Sequence, residues 1–200
     1  MADLNSKISI LIDEELRTLG DKEFAKSRNR LISEKVVSYG VKTGRIRKIV
    51  REHWKKFPEL KTEENCFKTA RELMSMKILD DQMAGIFLLG LYSKTFEIRD
   101  ISKLERLIAR YIDNWAACDA MSCEVIAKVL KNSPQEIKIL YTWAKSENIW
   151  LRRATIVTTV KMKNKIENWQ EIAPKILFSF SKEKEPIVKK AVYWLEREIN

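Results

Sequence analysis

Two hundred residues with 45% hydrophobic content are enough to close a core, and they fit one domain, 1–200, better than two. Gly and Pro number only 5 and 4, too few for the many turns of a β-sandwich or barrel, so the composition favours helices. Lys and Arg exceed Asp and Glu by 38 to 28, for a net charge of +10, which suits a polyanion such as nucleic acid or an acidic membrane surface without choosing between them. Cys66, Cys118 and Cys123 are an odd set without CxxC spacing, so neither a disulfide framework nor a zinc site is readable. Met1 to Leu19 mixes charges into its apolar residues unlike a signal peptide, and no later stretch approaches a membrane span. A soluble, cytoplasmic protein with no membrane partner is the expectation.

Apolar residues at helical spacing predict helices at 4–18, 21–37 and 43–56, the last a basic run in which Lys42, Arg45, Arg47, Lys48, Arg51, Lys55 and Lys56 surround Ile46, Ile49, Val50 and Trp54. That run reads either as a solvated helix face or as a polyanion contact. Helices follow at 62–77, opened by Thr62 with Glu64 and Asn65, and at 80–94. The stretch 99–114 carries Ile101, Leu104, Leu107, Ile108, Tyr111 and Ile112, with Trp115 beyond, on one face behind a start signal at Asp100.

In the next predicted helix, 117–131, Asp119 stands in line with Cys123, Ile126 and Leu130. A carboxylate on that row is either a first-turn acid satisfying free N–H groups or a functional group among residues that seek burial. Ser133 before Pro134 opens a helix at 134–146, and Asn148 opens one at 148–163. There Arg153 shares a row with Ile149, Ile156 and Val160, so its guanidinium either forms a salt bridge between helices or contacts phosphate. After a helix at 168–181, the last one, 185–198, places Lys190, Trp194 and Arg197 on one cationic and aromatic face, apart from the apolar row of Val188, Val192, Leu195 and Ile199. Such a face suits nucleic acid, and equally a tryptophan covering the end of the fold.

Helices of this length joined by short connections, with a pair length of about 35–40 residues, favour an all-α, HEAT-like or armadillo-type α-solenoid of stacked antiparallel helix pairs with a concave basic face over an irregular helical bundle, although no exact repeat motif recurs. Trp54, Trp143, Trp150 and Trp169 are most simply core. His53 is the only histidine, and no P-loop, GxGxxG or histidine cluster occurs. Triad and metal chemistry therefore have no readable constellation, and the reading names no metal and no cofactor.

Four segments carry a resemblance. Tyr111-Ile112-Asp113-Asn114-Trp115-Ala116-Ala117-Cys118-Asp119 resembles the W-D-x-V-D stretch of AlkD-like DNA alkylation repair enzymes, glycosylases built from HEAT-like repeats, with the Trp to Asp interval kept and Ala116 in place of an acid. Asn148-Ile149-Trp150-Leu151-Arg152-Arg153-Ala154 is similar to that family's N-I-W-L-x-R-A. Lys190 to Glu198 is similar to its K-A-x-x-W-x-L-R-E, with Glu196 at an aliphatic position. Tyr39-Gly40-Val41-Lys42-Thr43 is similar to its F/L-G-V/I-x-T, with Gly44 at the usual proline.

The resemblance implies that Asp119 is the catalytic carboxylate, that Trp115 and Trp194 flank the lesion nucleotide, that Arg153 and Arg197 bind the DNA backbone, and that Lys42 is a further DNA contact. It implies hydrolytic excision of cationic N3- or N7-alkylated purines from duplex DNA. A monomer is expected, and because a solenoid offers a groove, the lesion is expected to be met at the DNA surface. Two other readings compete: a weakly catalytic module for branched or damaged DNA, and a protein-binding helical scaffold.

Overall fold

The structure, a computed structural model, describes residues 4–32, 34–96 and 100–200. These are helical almost throughout; the only β-type pairing among them is an isolated bridge between Val37 and Ile78. The all-α class expected from the few glycines and prolines is the class found. Two compact units divide the chain, Met1–Ser93 and Lys94–Asn200.

The first unit holds α1 (Leu4–Thr18), α2 (Lys22–Leu31), α3 (Thr43–Lys56), α4 (Glu63–Ser75) and α5 (Leu79–Tyr92), with a 3-10 turn at Pro58–Lys61. α4 and α5 pack along their length across a connection of residues 76–78, which leaves them no choice but to run antiparallel. α5 is apolar on nearly every side, burying Leu79, Ala84, Ile86, Phe87, Leu88 and Leu89 against α1, α3 and α4; a helix without a polar face belongs in a core.

α1 and α3 span the residues predicted, but α2 stops at Leu31 instead of running to 37. The cause is tertiary. Asp80, fully buried at the start of α5, accepts from Ser38 Oγ at 2.7 Å, Tyr39 N at 2.8 Å, Val41 N at 2.9 Å and Arg28 Nη1 at 2.9 Å. Those main-chain donors are free to meet the carboxylate only in a non-helical segment, and β-branched Val36 and Val37 give up little by leaving the helix.

The second unit holds α6 (Ile101–Tyr111), α7 (Trp115–Met121), a π-helical turn (Ser122–Ile126), α8 (Ala127–Asn132), a 3-10 turn (Pro134–Ile137), α9 (Lys138–Trp143), α10 (Ile149–Lys161), α11 (Trp169–Phe178) and α12 (Pro186–Ile199). α10 is the hub. It buries Trp150, Leu151, Ala154, Ile156, Val157 and Val160 and packs against α6, α7, the π turn, α9, α11 and α12.

The start signals divide by mechanism. Thr62 receives Asn65 N at 3.4 Å, and Asn148 receives Trp150 N and Leu151 N at 2.9 and 3.1 Å. Asp100 and Ser133 make no capping bond; Asp100 pairs with Lys103 instead, at 3.0 Å. The predicted helix 117–131 is corrected at both ends of its first part. It opens at Trp115, because Asn114 takes the N–H of Ala117 at 2.9 Å, and it is interrupted by the π turn. Residue 99, where the preceding helix was expected to begin, lies outside the described residues.

Candidate functional site

Asp119 does not cap its helix, because Asn114 already does; it sits one turn further in, facing α10. There Arg153 meets it side-on, Nε to Oδ1 and Nη2 to Oδ2 both at 2.8 Å. Of the two sequence readings of Arg153, the salt bridge between helices is what the structure shows. Side-chain exposure is 7% for Arg153 and 20% for Asp119, so the carboxylate, and not the arginine, is the member that solvent reaches.

The third anchor comes from α12, where the carbonyl of Ile187 accepts from Arg153 Nη1. A guanidinium offers five N–H groups, and three are thereby committed, leaving one on each terminal nitrogen. Arg153 is thus first a positioning residue for Asp119. A phosphate could use only the two remaining donors.

Two features of α7 place the carboxylate. Trp115, one turn before it on the same face, lies with its ring centroid 6.0 Å from the Arg153 guanidinium carbon, within the range of cation–π attraction. After Met121 the helix widens into the π turn, where the N–H of Ala127 reaches the carbonyl of Ser122, and Ser122 Oγ donates to the carbonyl of Cys118 at 2.8 Å. Cys118 is fixed in turn by the carbonyl of Trp150 at 3.3 Å. Burial pushes the Cys118 and Cys123 thiols up, so neither has the thiolate character of a nucleophile.

α12 presents Ile187, Lys190, Trp194 and Arg197 along one row, which begins at the carbonyl that holds Arg153. Lys190 and Arg197 are exposed and Trp194 is half-buried. The indole N–H of Trp194 donates to Glu198 Oε1 at 3.2 Å, and Glu198 also takes Lys163 Nζ at 3.0 Å. The lysine and then the indole hold the Glu198 carboxyl below its ordinary range. Trp143, Trp150 and Trp169 are core, whereas Trp54 is half-buried edge-on to Tyr92 at 6.4 Å.

Lys42 belongs to the other unit, exposed at the N-cap of α3, where it makes no side-chain capping bond. His53, which showed no partner in the sequence, lies 3.1 Å from Glu15 and stacks on Phe57. Among the described residues no three His, Cys, Asp or Glu gather to hold a metal. The Ile187 carbonyl was beyond sequence reasoning, since a main-chain group leaves no signal in residue types.

An all-α protein of packed helical pairs, with a fixed and partly exposed carboxylate beside an indole, belongs to the helical-repeat class by its fold. Residues 12–200 match the family model described as DNA alkylation repair enzyme, so the chain belongs to the DNA alkylation repair enzyme family. A search of curated proteins gave no match.

Proposed function

We propose that the protein is a DNA glycosylase that removes cationic N3- or N7-alkylated purines, such as 3-methyladenine and 7-methylguanine, from duplex DNA by hydrolysis of the N-glycosidic bond. The observation that carries this reading is the Asp119–Arg153 fork, with the acid open to solvent, the base of the fork buried and Trp115 beside it. A purine alkylated at these nitrogens leaves as a neutral base, so no general acid is required, and the second unit presents no histidine for that role. As the bond breaks, positive charge builds on the deoxyribose. A carboxylate already fixed in orientation stabilises that charge, or aligns a water, without reorganising. Indole faces at Trp115 and Trp194 favour the same cationic sugar, while Arg197, Lys190 and Lys42 hold backbone phosphates.

The enzyme is monofunctional in this reading: water takes the sugar, and no strand is cut. Release of 7-methylguanine from a duplex, set against release of a neutral lesion such as hypoxanthine, tests the claim that leaving-group charge substitutes for an acid. The cationic base alone is expected to leave at a measurable enzymatic rate, and comparable release of both would overturn the mechanism.

One observation favours a second reading, a DNA-binding module with little excision. The guanidinium offsets part of the charge that Asp119 could bring to the transition state. The two readings part on whether removing the Asp119 charge affects base release.

A further inference from the structure

Adjacent arginines on α10 leave the helix about 100° apart and reach different partners. Arg153 passes between Asp119 and the Ile187 carbonyl in the first turn of α12. Arg152 goes to the turn that enters α12, where it meets Glu183 side-on, Nε to Oε2 at 2.8 Å and Nη2 to Oε1 at 3.3 Å. Its other terminal nitrogen, Nη1, donates to the carbonyls of Ser146 and Glu147 at 2.9 and 3.0 Å. One guanidinium thus ties the connection between α9 and α10 to the start of α12.

Little of either side chain meets solvent, 16% for Arg152 and 7% for Glu183. Glu183 Oε1 also accepts the main-chain N–H groups of Lys184 and Glu185, at 3.0 and 2.9 Å, so this carboxylate shapes the turn as well as pairing with the arginine. Glu185 is extended ahead of Pro186, the first residue of α12, as residues before proline prefer. Its carbonyl accepts from Val188 N and Lys189 N at 3.1 and 2.9 Å. The chain from Glu183 to Ile187 is therefore held by hydrogen bonds and a proline, and where Glu183 goes the Ile187 carbonyl follows.

We propose that Arg152 and Glu183 are positioning residues for excision: their fork fixes the start of α12 so that the Ile187 carbonyl holds Arg153, and through it Asp119, in the orientation the reaction uses. This inference rests on the glycosylase reading of Asp119. A largely buried ion pair adds little net stability, because desolvation offsets its attraction, but it does fix geometry. Two successive forks, Glu183 with Arg152 and Arg153 with Asp119, are joined by one carbonyl. Loosening the first frees Arg153 Nη1 from its acceptor, and the guanidinium that orients the carboxylate is then free to turn.

The test follows single-turnover release of 7-methylguanine by the full chain, its duplex affinity, and solvent exchange of the Arg153 Nε–H by NMR, that signal being assigned by its loss in Arg153→Lys. Glu183→Gln keeps the length of the side chain and an acceptor for the turn but removes the charge of the fork. It is expected to slow release by about 10-fold with little change in affinity, and to speed Arg153 Nε–H exchange by about 10-fold. Arg152→Lys, which keeps the cation without the fork, should do the same. In an Arg153→Lys background Glu183→Gln should cost little more, since both act through one carboxylate. Lys163→Gln, which frees the far end of α12 from Glu198, should leave the Arg153 exchange at the wild-type rate. Unchanged release in Glu183→Gln, losses that multiply with those of Arg153→Lys, or equal acceleration of exchange in Lys163→Gln would overturn this role and leave the glycosylase reading standing. Wild type without base release would overturn both.

Discussion

A carboxylate gripped by two donors of one guanidinium has little freedom to turn, and that restriction is the chief contribution of Arg153. Lysine at this position keeps the charge but supplies a point donor on a flexible stem, with no fork. Arg153→Lys is therefore expected to slow single-turnover release of 7-methylguanine by about 10–100-fold, the effect of a misplaced catalytic group, with a much smaller change in duplex affinity. Equal rates would show that the fork has no positioning role. A second buried acid makes a separate prediction, about stability. Asp81 is fully buried, and no donor meets either of its oxygens. Burial first, and then the neighbouring Asp13 carboxylate, raise its carboxyl to about 8, with Asp80 adding to the effect and Arg17 opposing it. Asp13 is placed to accept the Asp81 proton and already receives Tyr39 Oη and Arg17 Nη2; burial and then Asp13 push the Tyr39 hydroxyl up to about 12. Because the folded value lies above the unfolded one of about 3.9, the stability that Asp81 allows is complete below about pH 4 and is lost as pH rises through about 8. Between about pH 6 and about pH 9, the melting temperature of Asp81→Asn should fall less than that of wild type, since an amide keeps a donor toward Asp13 and does not ionise. Parallel melting curves would contradict this.

At the scale of elements, the Tyr39 to Thr43 segment shows how a motif can be structural. Gly40 takes φ +86, and a Cβ added there would run into the Asp21 carbonyl and come within 2.8 Å of Ala25 N. Gly40→Ala should therefore cost at least about 2 kcal/mol, read as a lower urea midpoint, and an unchanged midpoint would refute the close approach of α2. The segment's turn is fixed by Asp80, far along the chain, which is why periodicity ran α2 on to 37: Val36, Val37 and Tyr39 are compatible with a helix locally, and only the buried acid decides against it. α1 and α3 were legible because each shows its own apolar stripe. The break of 117–131 into α7, the π turn and α8 was not legible, because Ser122 to Ile126 carries the same residue types as a regular turn, and the extra residue shows only in the bond from Ala127 to Ser122. Asp119 and Arg153 stood out as polar groups on apolar rows, and that anomaly is a single contact between α7 and α10.

For the molecule as a whole, the net charge of +10 makes duplex affinity a property of many cations, so that no single residue near Asp119 should control it. In the proposed glycosylase, excision is concentrated in one carboxylate. This separation distinguishes the glycosylase from a binding module of the same family, which would share the basic surface and the salt dependence. The decisive measurement is therefore release of 7-methylguanine from a singly modified duplex by wild type and Asp119→Asn, with the affinity of each taken in the same buffer. The account predicts release by wild type that falls by about 100-fold or more in the variant, the scale of losing one preorganised electrostatic group, at closely similar affinity. Equal release by both proteins, or tight binding by wild type without release, would contradict it.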